Sequence, residues 1–385
     1  MNAGPMMWGA QQSAALQGVS GWYSRCRAEM ARGERLSKPF YCVFGFAGTG
    51  KTSLAKSFAE GVRNPVFGAF TGKAALMMAR AGCAGAATLH SILYTPIDDS
   101  DGSVRFVRNE DGPMSEADLL ICDEVSMVGE DMARDILSFG VPVLVLGDPA
   151  QLPPVKGKGY FINRQPDNML TEIHRQARDN PIIRLATSVR TGNALELGEY
   201  GHSRVVRQGV LTDDEVTRSG QVICGTHRTR KALITKFRRL LACDGPYPEA
   251  GERLVCRQND KKAGILNGGL FTVVSVRPGR KKIRMEVESI DFPERGIIEV
   301  ASYLALFTGW FDDMSERERF DALRGTQVFD FGYALTCHVA QGSQWDDVVI
   351  YDESRVFRED WSRWLYTAIT RAADRVTVVQ MGGGS

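Results

Sequence analysis

Gly45-Phe46-Ala47-Gly48-Thr49-Gly50-Lys51-Thr52 reads G-x-x-x-x-G-K-T, a spacing that suits a polyphosphate. The flanks agree. Residues 39–44 form an apolar, aromatic and β-branched run, which predicts a buried strand, and residues 54–59 predict a helix. Between them, Gly45, Gly48 and Gly50 make a turn tight enough to bring backbone N–H groups, that of Thr49 included, around phosphate oxygens. The positive end of the helix dipole adds to that attraction. Lys51 is placed to reach the β- and γ-phosphates, and the Thr52 hydroxyl to ligate Mg²⁺. The loop therefore predicts a bound nucleoside triphosphate.

Two further constellations suit hydrolysis. Asp123-Glu124 follows the apolar strand of residues 119–122. Asp123 can hold Mg²⁺ through water, while Glu124 orients or deprotonates the attacking water. Gly147-Asp148-Pro149-Ala150-Gln151 closes the next apolar strand. A glutamine at that edge, Gln151, can touch the γ-phosphate or its water and so sense hydrolysis.

These residues need a parallel sheet with helices on both faces, and the first 150 residues supply the alternation. Apolar strands around residues 65–70, 119–123 and 141–147 are separated by helical stretches such as 72–80. Residues 95–114 interrupt them with a polar stretch that predicts a small β-hairpin. A second α/β alternation begins near residue 221 and ends with a strand at 375–379. Short strands and turn signals over residues 246–326 predict a small β-barrel insertion within it. The 385 residues suffice for two or three domains. At 43% hydrophobic and 24% charged, the composition is that of an ordinary globular protein. No apolar run reaches the ~18 residues of a membrane span, and no charged stretch with an apolar core predicts a secretion signal. Eight scattered cysteines without a C-x-x-C pair predict reduced core thiols in a cytoplasmic protein. A net charge of +1 excludes a global electrostatic pull on nucleic acid, so any such partner must be held by a local groove.

The chain resembles superfamily 1 helicases, and within them the RecD/Dda-type group. Residues 45–52 match motif I, Thr71-Gly72-Lys73-Ala74-Ala75 motif Ia and Thr88-Leu89-His90-Ser91 motif Ib. Residues 123–127 match motif II and 147–155 motif III. His174-Arg175-Gln176 resembles motif IV, residues 333–346 motif V, and Tyr366-Thr367-Ala368-Ile369-Thr370-Arg371-Ala372 motif VI. The motifs run from residue 45 to 372 in the family's order. The resemblance implies two RecA-like domains: residues 1–155, and residues 156–245 with 327–385. ATP and Mg²⁺ would lie in the cleft between them. The hairpin at 95–114 is similar to the family's separation pin, and the insertion at 246–326 to its SH3-like domain.

Roles follow from the same resemblance. Arg175 and Arg371 are implied as arginine fingers, whose guanidinium fork matches the charge of the transferring phosphoryl group. Gln12 resembles the adenine-reading glutamine, with Gln11 as its competitor. Thr71, Lys73, His90, Thr336, His338 and Ser343 sit in DNA-contacting motifs, where hydroxyls, imidazoles and amides suit phosphate oxygens. Phe106 is a candidate either to stack on the fork or to pack the hairpin. One position departs from the family: Val339 stands where a lysine usually follows the motif V histidine. Two basic stretches, the helix face from Arg228 to Arg239 and residues 277–284, read equally as solvated surface or strand-guiding surface. The resemblance implies an ATP-dependent helicase moving 5′ to 3′ on single-stranded DNA and opening forks. It would act as a monomer, beside replication or repair proteins. A translocase without strand separation, an inactive binding module and an RNA helicase are the rival readings.

Overall fold

The computed structural model describes residues 8–98, 104–153, 159–172, 179–260, 263–308, 314–315, 323 and 325–382. The chain forms two units, Met1–Asn193 and Ala194–Ser385.

In the first unit, strands β1 (Phe40–Gly45), β2 (Pro65–Ala69), β3 (Ala87–Thr88), β6 (Leu119–Asp123), β7 (Val143–Gly147) and β8 (Asn168–Leu170) form one sheet. Its order is β3-β2-β6-β7-β1-β8, and every pairing is parallel. β6 and β7 are buried along their whole length, as strands covered on both faces must be. Alternate side chains feed two cores. Val43, Ile121, Leu144 and Leu146 pack with Trp22 and Val19 of the helix Ala10–Ala31. Phe44, Cys122 and Val145 pack with Leu89, Ile92 and Phe161 on the other side. An antiparallel pair, β4 (Tyr94–Asp98) and β5 (Val104–Arg108), leaves this unit after the helix Leu89–Leu93.

The first compact unit runs past residue 155, where the sequence places the end of the first domain. β8 pairs with β1, and the helix Pro181–Arg190 also belongs to the first unit, which runs to Asn193. The sheet needs β8 to cover the outer edge of the strand that feeds the P-loop.

The second unit carries the sheet β17-β11-β18-β19-β10-β9. Its strands are β9 (Gly198–Tyr200), β10 (Ser203–Arg207), β11 (Gln221–Cys224), β17 (Ala334–Thr336), β18 (Trp345–Asp352) and β19 (Ala372–Gln380). Only the β9–β10 pairing is antiparallel. Inserted between β11 and β17 is an antiparallel sheet, β15-β14-β13-β12-β16, of β12 (Arg253–Cys256), β13 (Leu270–Pro278), β14 (Lys282–Ser289), β15 (Ile297–Tyr303) and β16 (Phe329–Phe331). In β14, Ile283, Met285, Val287 and Ser289 are buried and their neighbours face outward, the alternation of a sheet covered on one face. The small sheet also takes in residues past 326, where the sequence places the end of the insertion. Phe329 and Phe331 are buried and pair with Cys256 and Leu254, so the small sheet continues through residue 331.

Candidate nucleotide and nucleic-acid sites

The P-loop leaves the carboxyl end of β1. A Cβ on Gly45 would lie 2.6 Å from Thr49 Oγ1 and 2.9 Å from Leu170 Cβ, so the turn excludes any side chain there. Gly48 and Gly50 both hold φ near 77°, the left-handed region that favours glycine. The helix Lys51–Ala59 follows with no capping side chain at Gly50, which leaves its first amides for a ligand. Lys51 Nζ donates to the carbonyls of Gly45 at 2.7 Å and Phe46 at 3.1 Å. The Thr49 hydroxyl donates to Phe46 O at 2.8 Å.

Asp123 ends β6 beside this loop. Thr52 Oγ1 donates to Asp123 Oδ2 at 2.9 Å, and the Glu124 N–H donates to Oδ1 at 2.8 Å. Burial, and then the neighbouring Glu124, push the Asp123 carboxyl above its ordinary value, while Lys51 and the two hydrogen bonds oppose the rise. Glu124 sits at φ 53°, ψ 43°, a left-handed conformation that a non-glycine residue holds only under constraint. Gln151, after β7, is 8% exposed, and its Oε1 is buried with no hydrogen-bond partner among the described residues. An orphaned acceptor at this edge suits a water or ligand donor.

Gln12 is the glutamine that touches the P-loop: its Nε2 donates to Thr49 O at 3.0 Å. Gln11 is engaged elsewhere, its Oε1 accepting from the N–H groups of Thr171 and Glu172. Arg190, which the sequence reading passed over, holds its guanidinium 3.6 Å from the centre of the Phe46 ring. Nothing in its sequence context marks it, because Arg190 closes a helix far from the motif in the chain. Arg175 and its motif, residues 174–176, lie outside the described residues.

The nucleic-acid candidates of the first unit share the same carboxyl edge. Thr71 follows β2 and caps the helix Gly72–Arg80, accepting from the Ala74 N–H at 3.1 Å. His90 follows β3, its ring 4.5 Å from Phe106 and 4.8 Å from Tyr94. Phe106 lies across from Pro96 in the hairpin and is 52% exposed. Lys73, by contrast, is buried. Along the sheet order, the nucleotide residues occupy β6, β7 and β1, and the nucleic-acid candidates β2 and β3.

In the second unit, Thr336 ends β17 and His338 lies in the next helical turn, Cys337–Ala340. Burial, then His227, hold the His338 imidazole below its ordinary value, so it is neutral at pH 7. Thr336 and Ser343 are buried. Arg371 is only 5% exposed and turned into its own unit. It donates to the carbonyls of Thr367 at 3.0 Å and Ser343 at 3.2 Å, and to Thr370 Oγ1 at 3.1 Å. Motifs V and VI are thereby tied together. The sequence reading also missed Glu353, whose carboxylate accepts from the N–H groups of Gly225 and Thr226 and the hydroxyls of Thr226 and Thr229. The Gly-Thr pair after β11 was the available signal.

A model described as an AAA domain matches residues 30–210, and one described as a UvrD-like helicase C-terminal domain matches residues 331–379. The ATP-dependent RecD2 DNA helicase of Deinococcus radiodurans is 29% identical over 369 residues, covering 86% of this chain and 45% of its own length. Over most of its length the chain is therefore similar to helicases of the RecD/Dda type. The ATP-dependent DNA helicase dda of Enterobacteria phage T4 is 32% identical over 166 residues, covering 39% of this chain and 37% of its own length. The chain spans less than half the length of these two relatives. Its fold matches the Pif1 helicase from Bacteroides in complex with ADP-AlF3 and ssDNA, with a TM-score of 0.57, 16% identity, and 97% and 92% of the two chains covered. It also matches Pif1 helicase from Candida albicans, with a TM-score of 0.54, 17% identity, and 98% and 95% covered.

Proposed function

We propose that this chain is an ATP-dependent DNA helicase that translocates 5′ to 3′ on single-stranded DNA and opens forked duplex. The observation that carries the reading is the division of one sheet edge. Lys51, Thr52, Asp123, Glu124 and Gln151 gather at β1, β6 and β7, while Thr71 and His90 flank them at β2 and β3. Ligands of open α/β sheets bind at this edge, and here hydrolysis and strand contact share one rigid element. Two relatives whose names read ATP-dependent DNA helicase support the same conclusion.

Lys51 leaves its two P-loop carbonyls for the β- and γ-phosphates as nucleotide enters. Gln12 reads the adenine from its place on the Thr49 carbonyl. Thr52 and Asp123 present two hard oxygens 2.9 Å apart, which fit Mg²⁺; the ion when bound neutralises phosphate charge. Glu124 orients the attacking water, Gln151 senses the γ-phosphate, and Arg175 and Arg371 act as arginine fingers. Arg371 must first release the Ser343 carbonyl, which links γ-phosphate sensing to the motif V loop. Thr71, His90, Phe106 and His338 meet DNA through side chains. Buried Thr336 and Ser343 meet it through backbone groups, and Lys73 after its side chain turns outward. The β4–β5 pair is the separation pin, and the five-stranded antiparallel sheet is the SH3-like domain 2B between the two parts of domain 2A. The deciding experiment is unwinding of forks bearing only a 5′ or only a 3′ single-stranded tail, with and without ATP. ATP-dependent opening of the 5′-tailed fork is expected; opening confined to the 3′-tailed fork overturns the polarity, and opening of neither overturns the helicase reading.

A further inference from the structure

The helix His227–Leu240 and the small antiparallel sheet line an open cavity of about 660 Å³. Its walls carry Arg230, Lys231, Arg238, Arg239 and Arg257. The acidic side chains on the same walls are Asp244 and Asp330 alone among the described residues. Asp330 is committed to Arg230 at 2.7 Å, and Arg238 to Glu252 at 2.8 Å behind the wall.

Two of the buried guanidinium groups, Arg230 and Arg257, still carry donors with no partner among the described residues. Arg230 is 7% exposed and its Nε is buried with no partner among the described residues. Nη1 of Arg257 is buried and unpartnered in the same sense. Burial, only partly offset by Asp330, and the nearby Arg230 weaken the hold of Arg257 on its proton. Two guanidinium groups share one carboxylate, a poor arrangement for a purely structural cluster, because buried cations are stable only when paired. Arg239 adds an exposed guanidinium at the rim. Phe307, edge-on to Phe331 at 5.4 Å, gives the cavity an aromatic wall. Cations beside an aromatic surface suit a phosphodiester chain with its bases.

We propose that this cavity binds backbone phosphates of single-stranded nucleic acid, as a subsite separate from the carboxyl-edge residues, with Arg257 and Arg239 as the phosphate donors. The proposal rests on the DNA-binding reading above. It gives the basic helix face a role in holding the strand rather than in solvation.

The test is fluorescence anisotropy of a labelled oligo-dT of about 15 nucleotides, titrated with the full chain from ~50 to ~200 mM salt. Arg257→Gln keeps most of the side-chain volume, and Arg239→Glu lies on the exposed rim, so it folds even if Arg257→Gln does not. Each is expected to weaken binding about tenfold at low salt and to flatten the log–log salt slope by ~0.7 per lost phosphate contact. Binding by the wild type with unchanged slopes in a folded Arg239→Glu and a folded Arg257→Gln overturns the subsite alone. No binding by the wild type overturns the DNA reading itself. Sodium tripolyphosphate supplies the second arm. If it binds wild type and not the variants while the DNA slopes stay unchanged, the cavity holds free polyanions and the nucleic-acid assignment falls.

Discussion

Glu124 is both the residue assigned to the attacking water and a non-glycine residue in the left-handed region, at φ 53° and ψ 43°. That conformation costs an L-residue about 1–2 kcal/mol. Glycine occupies it freely but loses roughly 0.5–1 kcal/mol of extra chain entropy on folding. Replacing Glu124 by Gly therefore stabilises the first unit by about 0.5–1 kcal/mol net. For a unit of this size that is ~1–4 °C in Tm. Glu124→Ala keeps the Cβ and hence the strain. Both variants remove the negative charge beside Asp123, so that electrostatic gain cancels in the comparison and the Gly–Ala difference isolates the backbone term.

Scanning calorimetry of the three proteins without nucleotide measures the difference, and a phosphate-release assay with single-stranded DNA measures turnover. The glycine variant is expected to melt above the alanine variant, and both to lose hydrolysis. A glycine variant that melts at or below alanine refutes stored strain at this position. Turnover near wild type in either refutes the catalytic assignment.

Lys51→Ala is expected to abolish hydrolysis while single-stranded DNA binding persists, since Thr71 and His90 stand on other strands; loss of both in parallel titrations would mean one shared site. Arg371→Ala should cut turnover by about 10³ with a smaller change in nucleotide affinity, measured by single-turnover kinetics and nucleotide titration. A twofold drop would leave Arg371 as a clamp on Ser343 only. Replacing residues 95–114 by a short Gly-Ser link should preserve DNA-stimulated hydrolysis and reduce fork opening in a strand-displacement assay; unwinding at the wild-type rate removes the pin assignment, and its loss counts against a translocase indifferent to duplex.

The nucleotide cradle was legible because its chemistry is local. Gly45, Lys51 and Thr52 lie in eight consecutive residues, and Asp123 announces itself at the end of an apolar strand. What joins distant segments was not legible. β8 is three residues long and carries no strand signal of its own; only pairing with β1 makes it a strand and moves the unit's end to Asn193. The same holds for β16, whose Phe329 and Phe331 lie past the expected end of the insertion at 326 until β12 is seen beside them. The helix Ala10–Ala31 offered Ala15, Val19, Trp22 and Cys26 at helical spacing, but only Gln11 and Gln12 drew a reading.

The candidate site shows a related limit. Motif spacing picks out residue types, whereas the state of each side chain depends on what surrounds it. Thr71, Thr336 and Ser343 share one expectation, yet Thr71 caps a helix at a partly open surface while Thr336 and Ser343 are buried. Arg371 was expected to aim at a phosphate, yet it spends its donors on Thr367, Thr370 and Ser343. These arrangements make physical sense as local satisfaction of donors. A half-buried or buried guanidinium or ammonium must satisfy its donors on nearby oxygens. Lys51 does so on Gly45 and Phe46, and Arg371 on the motif V loop. On the proposed roles, nucleotide would exchange these carbonyl partners for phosphate oxygens, which are charged and bind more strongly. For Arg371 that carbonyl is Ser343's, in motif V, so on the proposed role the exchange would pass from phosphate to the strand-contacting loop.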